Sequence, residues 1–146
     1  EAKAKDKDPK RPLTEQGRKD VAKVAAFARR AGVEVAQIRH SGKLRAAETA
    51  DLLAEQLGPA DGVVVMPALD PDEEVHPLAA LLEAETKPLM LVGHLPFLER
   101  LAALLIVDDA NRTVVVFPMA GMVCLEHLPI TKTWSVRWAV SPDLLP

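Results

Sequence analysis

Two short segments of the chain bring together residue types that could handle an anion. The first is His40-Ser41-Gly42-Lys43-Leu44-Arg45. A glycine turn entering a helix exposes backbone N–H groups, Ser41 can cap that helix, and Arg45 supplies a fixed cationic fork. Together these suit a tetrahedral oxyanion such as phosphate. The second is Gly93-His94-Leu95-Pro96, where a histidine beyond an apolar run could donate a hydrogen bond to a phosphoryl oxygen. Each segment has a plainer alternative. Ser41 serves equally as a simple cap, Arg45 as a solvated charge and His94 as a satisfied turn residue, and spacing alone favours those readings. Two complementary strand-end segments weigh more than either one, because open α/β sheets bind ligands beyond the carboxyl ends of their strands.

The remaining chemistry-bearing residues point elsewhere. His40 can line the same turn or be structural, His76 precedes Pro77 at a helix start, and His127 lies in a hairpin or loop. The sequence has no His-Glu-x-x-His or Cys-x-x-Cys pair, so no metal site is expected. It also lacks a Gly-x-Ser-x-Gly elbow, a Gly-x-x-x-x-Gly-Lys loop and a dinucleotide fingerprint, and no cofactor is expected. The single cysteine, Cys124, excludes an internal disulfide and reads as a buried strand residue.

The elements that must position these segments follow from periodicity. Thr14 is a good N-cap, and Val21, Val24, Ala25 and Ala28 mark one face of a helix that closes at Ala31-Gly32. Residues 33–38 read as a strand ending in the Ser41-Gly42 turn. A second helix carries Ala46, Ala50, Leu53 and Leu57 and stops at Gly58-Pro59. Residues 63–66 form a strand, 67–76 an acidic, proline-rich loop, and Leu78, Leu81 and Leu82 a short helix. A third strand over 88–92 precedes a helix through Phe97, Leu101, Leu104 and Leu105, with Pro96 at its first position. Residues 113–117 and 122–126 are expected to pair as a hairpin, and the alternation of Trp134, Val136, Trp138 and Val140 gives a last strand, with both tryptophans in the core. Strands alternating with helices, then strands alone, predict an α/β/α sandwich with a mostly parallel sheet and an antiparallel edge.

Composition narrows the class. At 146 residues, 49% hydrophobic and a net charge of −3, the chain suits one domain and shows no nucleic-acid footprint. No apolar run is long enough to cross a bilayer, and the cytoplasm is the expected compartment. The sequence opens at Glu1 without a methionine or an apolar leader, so residues are expected to precede it.

These segments resemble one family. Residues 11–17, Arg-Pro-Leu-Thr-Glu-Gln-Gly, are similar to the run after the Arg-His-Gly signature of SixA-type phosphohistidine phosphatases, within the histidine phosphatase (phosphoglycerate mutase-like) superfamily. Residues 40–50 resemble that family's Ser-x-x-x-Arg-Ala-x-x-Thr segment, residues 93–96 its second-histidine segment, and 138–142 its closing strand. The resemblance implies a single domain over 1–146 with the histidine phosphatase fold, no large lid, and no metal or cofactor. It implies that a histidine attacks phosphorus to form a phosphohistidine enzyme, which water hydrolyses to release inorganic phosphate. Arg45 becomes a phosphate clamp, His94 a donor to phosphoryl oxygen, Arg11 a further phosphate ligand, and Ser41 part of the same site. Glu1-Ala2 looks like the pair directly after Arg-His-Gly, which puts the nucleophile and the first central strand before Glu1 and leaves residues 1–146 inactive by themselves. The implied substrate is a protein bearing phosphohistidine, with neither nucleic acid nor membrane as partner. The alternatives are a phosphatase for a small phosphate monoester, or a non-catalytic phosphate-binding or phosphoprotein-binding module. No carboxylate matches the general acid of other branches; Asp72, Glu73 and Glu74 lie in its region, where a solvated loop explains them.

Overall fold

The computed structural model describes residues 9–146; the Glu1-Ala2 pair and any strand before it lie outside them. Thr14 adopts extended backbone angles, and its hydroxyl accepts the Gly17 N–H at 2.9 Å, which starts helix α1 (Glu15–Arg30) where the sequence predicts. Glu15 in the first turn and Arg29 and Arg30 in the last complement the helix dipole. Val21, Val24, Ala25 and Ala28 are all buried, as the apolar spacing requires. Helix α2 (Leu44–Leu57) buries Ala46, Ala50 and Leu53 and ends at Gly58 in the left-handed region. Helices α3 (His76–Ala84) and α4 (Phe97–Val107) complete the helical set among the described residues, with one-turn 3-10 segments at Pro67–Leu69 and Pro142–Leu144.

Strand β1 (Gln37–His40) lies at the centre of a three-stranded sheet, between β2 (Val63–Val65) and β3 (Leu89–Val92), and both pairings are parallel. Strands β4 (Met122–Leu128) and β5 (Thr133–Val140) form an antiparallel pair with an irregularity between Cys124 and Leu125. Alternation along β3 shows the layering. Met90 and Val92 pack with Ala25, Ile38, Ala50 and Leu53 of α1, β1 and α2, whereas Leu91 joins Leu69, Val75, Leu78, Phe97 and Leu101 on the other face. Helices thus cover both faces of the parallel sheet, as expected for an α/β/α architecture. Burying Phe97, Leu69, Leu78 and Ile38 side chains contributes about 1.5–3 kcal/mol each by area removed from water.

Several expected elements differ. The first strand is Gln37–His40 rather than 33–38, because Val33 N–H turns back to Ala28 O at 3.0 Å and regular pairing starts only where β2 and β3 flank the chain. Residues 113–117 form no strand, and β4 pairs with β5 instead, across a turn at 129–132. Phe117 N–H is taken by the Glu99 carboxylate at 3.0 Å and Val116 is 75% exposed, so that segment crosses the surface as a loop. Pro96 occupies the cap position of α4 rather than its first helical position, so the helix starts one residue later than predicted, following a cis Leu95–Pro96 bond. Cys124 is half-buried rather than buried. Both tryptophans are part-buried; Trp138 meets Phe27 edge-on and Trp134 stacks on His127.

Candidate functional site

The site grows from the carboxyl ends of β1 and β3. The register pairs His40 with Val92, so the turns leaving the two strands start side by side. After β1 the chain bends at Gly42, which has φ +95° and whose added Cβ would sit 3.2 Å from Val65 Cγ1; a side chain is unfavourable there on both counts. The buried His40 ring steadies the bend, its Nδ1 accepting the Gly42 N–H at 3.1 Å. After β3, Gly93 passes so close to Leu69 O and Leu98 Cδ2 that a Cβ would lie 3.3 Å from each. Leu98 N–H then returns to His94 O at 3.0 Å, fixing the histidine at the entrance to α4.

This construction brings together two residues that are 53 positions apart. Ser41 Oγ and His94 Nε2 lie 2.6 Å from each other, and Ser41 Oγ also receives the Lys43 N–H at 3.4 Å. Whether the hydroxyl or the imidazole donates in the short contact depends on the tautomer of His94. Arg45 stands in the first turn of α2, and Arg11, Lys43, Arg45 and His94 all border one cavity of about 1720 Å³. Residues 89–92 of β3 and 122–127 of β4 line the same cavity, and among the described residues the β3 edge away from β1 has no strand partner. Three cations and a histidine border this one cavity, next to a glycine turn at a helix start. That arrangement can bind a multiply charged oxyanion, neutralise its equatorial oxygens and donate hydrogen bonds to them.

Arg11 arrives on a loop fastened to α2. Pro9 O accepts the Leu44 N–H at 2.7 Å, and Glu48 Oε1 accepts the Leu13 N–H at 2.8 Å. Glu48 Oε2 also pairs with Arg18 Nη2 at 3.2 Å. The residue types of Arg11, Ser41, Arg45 and His94 drew attention in the sequence; Glu48 and Glu99 did not, although each carboxylate holds a loop bordering the cavity. The only sequence signal was their location, each almost one turn beyond the end of a candidate segment.

Of the other histidines, His40 braces the Gly42 bend, whereas His76 and His127 have partners of their own. His76 is exposed beside Glu74 at 3.7 Å, and His127 stacks on Trp134 at 4.8 Å. Asp72 and Glu73 border the cavity from exposed positions, and Glu74 is taken up with His76. Among the described residues no group of three His, Cys, Asp or Glu could hold a metal ion, and no helix is long and apolar enough to cross a membrane. Burial pushes the Cys124 thiol up from its ordinary pKa, with Arg137 opposing and Glu126 reinforcing the shift, so the thiol is a poor nucleophile at neutral pH.

Comparison with known proteins converges on one answer. The family model for the histidine phosphatase superfamily (branch 1) matches residues 4–71. No curated protein sequence matches the chain. Among solved structures, the protein histidine phosphatase SixA complexed with tungstate is 25% identical, with a TM-score of 0.83 over 94% of this chain and 88% of that one. SixA of Agrobacterium tumefaciens is 20% identical with a TM-score of 0.75, over 93% of this chain and 86% of that chain. SixA of Nakamurella multipartitia is 17% identical with a TM-score of 0.73, over 93% and 87%, and these last two likenesses speak for the fold. Sequence and architecture therefore agree: the chain has the histidine phosphatase fold, and its resemblance to SixA-type members of the histidine phosphatase superfamily is borne out.

Proposed function

We propose that the protein removes phosphate from phosphohistidine on another protein, with Arg11, Arg45, Ser41 and His94 surrounding the phosphoryl group. The family match and the likeness to SixA support a phosphatase. The observation that carries the finer reading is the contact between Ser41 and His94, which joins the ends of two adjacent parallel strands beside Arg45. The SixA structure was obtained with tungstate, a tetrahedral oxyanion of the kind this cluster suits.

In this reading the arginines spread the charge of the equatorial oxygens, where most of the work of phosphoryl transfer lies, and His94 donates to one of them. The attacking imidazole belongs to an Arg-His-Gly signature, a triplet that residues 1–146 do not contain. Its nitrogen forms a bond to phosphorus as the substrate's P–N bond breaks and the leaving imidazole takes up a proton. Water then cleaves the enzyme's own P–N bond, releasing inorganic phosphate and freeing the histidine. His94 cannot replace that nucleophile, because a group donating to an equatorial oxygen is not aligned opposite the leaving group.

A protein substrate fits the open approach to the site. Residues 58–87 hold one short strand, a 3-10 turn and α3, with no long insertion to form a cover over a small metabolite. With one cysteine and no cofactor in the scheme, the cytoplasm is the proposed location. The test is turnover of a phosphohistidine protein and of a small phosphate ester by full-length protein and by residues 1–146. Full-length protein should prefer the phosphohistidine protein and acquire acid-labile, base-stable phosphate, while residues 1–146 should acquire none. Preference for the ester would favour a small-molecule phosphatase, and labelling of residues 1–146 that disappears in His94→Ala would overturn the assigned roles.

A further inference from the structure

Glu48 lies on α2 almost one turn after Arg45, and both of its carboxylate oxygens are engaged outside that helix. Oε1 accepts the Leu13 N–H at 2.8 Å and Oε2 pairs with Arg18 at 3.2 Å. With Leu44 N–H on Pro9 O at 2.7 Å, the segment 9–13 is held at both ends by one rigid helix, and Arg11 sits in its middle. Arg11 and Arg45 border the same cavity. Between Pro9 and Leu13 the chain has no helix or strand of its own, so its course depends on what fastens its two ends. The Glu48 side chain is 24% exposed, sheltered enough for a charge-assisted hydrogen bond to hold a loop.

We propose that Glu48 is a positioning residue that sets Arg11 against Arg45, so that the two guanidiniums form one clamp before the oxyanion arrives. The inference rests on the reading of Arg11 and Arg45 as phosphate ligands given under the proposed function. Its physical content is preorganisation: an anion that meets a fixed clamp does not have to order the loop on binding. The latch acts through the hydrogen bond to Leu13, and the ion pair with half-exposed Arg18 contributes little.

The variants separate these parts. Glu48→Ala removes both contacts, Glu48→Gln keeps an acceptor for Leu13 without the charge, and Glu48→Asp keeps the charge on an arm one methylene shorter. Full-length protein is compared for tungstate affinity, for KM and kcat on a phosphohistidine protein, and for melting temperature. Glu48→Ala and Glu48→Asp should each weaken tungstate binding and raise KM by about tenfold, the effect of losing one charge-assisted hydrogen bond, while Glu48→Gln, which keeps a neutral and weaker bond to Leu13, should show a smaller loss. In Arg11→Ala the further change Glu48→Ala should cost nothing more, because the latch acts only through Arg11. Should Glu48→Ala fail to fold, Glu48→Asp supplies the same cycle. The latch is overturned if losses from Arg11→Ala and Glu48→Ala multiply, or if Glu48→Asp matches the parent while Glu48→Gln is impaired. If Arg11→Ala itself leaves tungstate binding unchanged, the phosphate-ligand reading of Arg11 is what fails.

Discussion

The site has two halves with the same plan and different materials. In each, a parallel strand ends in a glycine turn, a helix begins, and a carboxylate on that helix captures a backbone N–H of a distant loop. In the arginine half this is β1, Gly42, α2 and Glu48 holding Leu13; in the histidine half it is β3, Gly93, α4 and Glu99 holding Phe117. The arginine half is buttressed by small residues, with Ala46 and Ala50 buried on α2, and by the Glu48 contacts to Leu13 and Arg18. The histidine half is anchored by Phe97, fully buried among Leu69, Val75, Leu78 and Leu101. The difference lies in how each half is anchored. Both halves hold a loop through a carboxylate, but the arginine half rests on small side chains and adds an ion pair, whereas the histidine half rests on one large buried aromatic.

Substitutions can test that division. Phe97→Ala should give the largest effect, a loss of stability of about 3–5 kcal/mol by denaturant unfolding, because it empties the base of the histidine half. Its counterpart Ala46→Gly should cost only about 1 kcal/mol, the helix-propensity difference. Similar losses from both would mean that the halves do not differ in how they are anchored. Next in size, Arg45→Ala should weaken tungstate binding by about 1.5–3 kcal/mol, measured by titration calorimetry. The exposed Arg29→Ala and Arg30→Ala changes at the far end of α1 should leave binding nearly unchanged. Equal losses from all three would show that the anion responds to overall charge rather than to a built clamp.

Legibility in the sequence divided along physical lines. Helix α1 was readable to the residue, because Thr14 caps it locally and its buried stripe repeats at helical spacing. The pairing of residues 113–117 was misread because apolar alternation does not say which strand is the partner; Glu99, far away in sequence, takes the Phe117 N–H instead. Ser41, Arg45 and His94 stood out by residue type and by following apolar runs, and the parallel register of β1 and β3 explains why Ser41 and His94 meet. Glu48 did not stand out. A glutamate on a half-exposed helix face reads the same whether it faces water or holds a loop 35 residues away.

The central claim is that Arg45 and His94 address one oxyanion from adjacent strand ends. Its most direct test is an experimental structure of the full-length protein with bound tungstate. The account predicts one tungstate in the cavity, with separate oxygens within hydrogen-bonding distance of the Arg45 guanidinium and the His94 ring, and Arg11 closing on a third. A tungstate bound elsewhere, or one touching Arg45 but not the His94 ring, would contradict it.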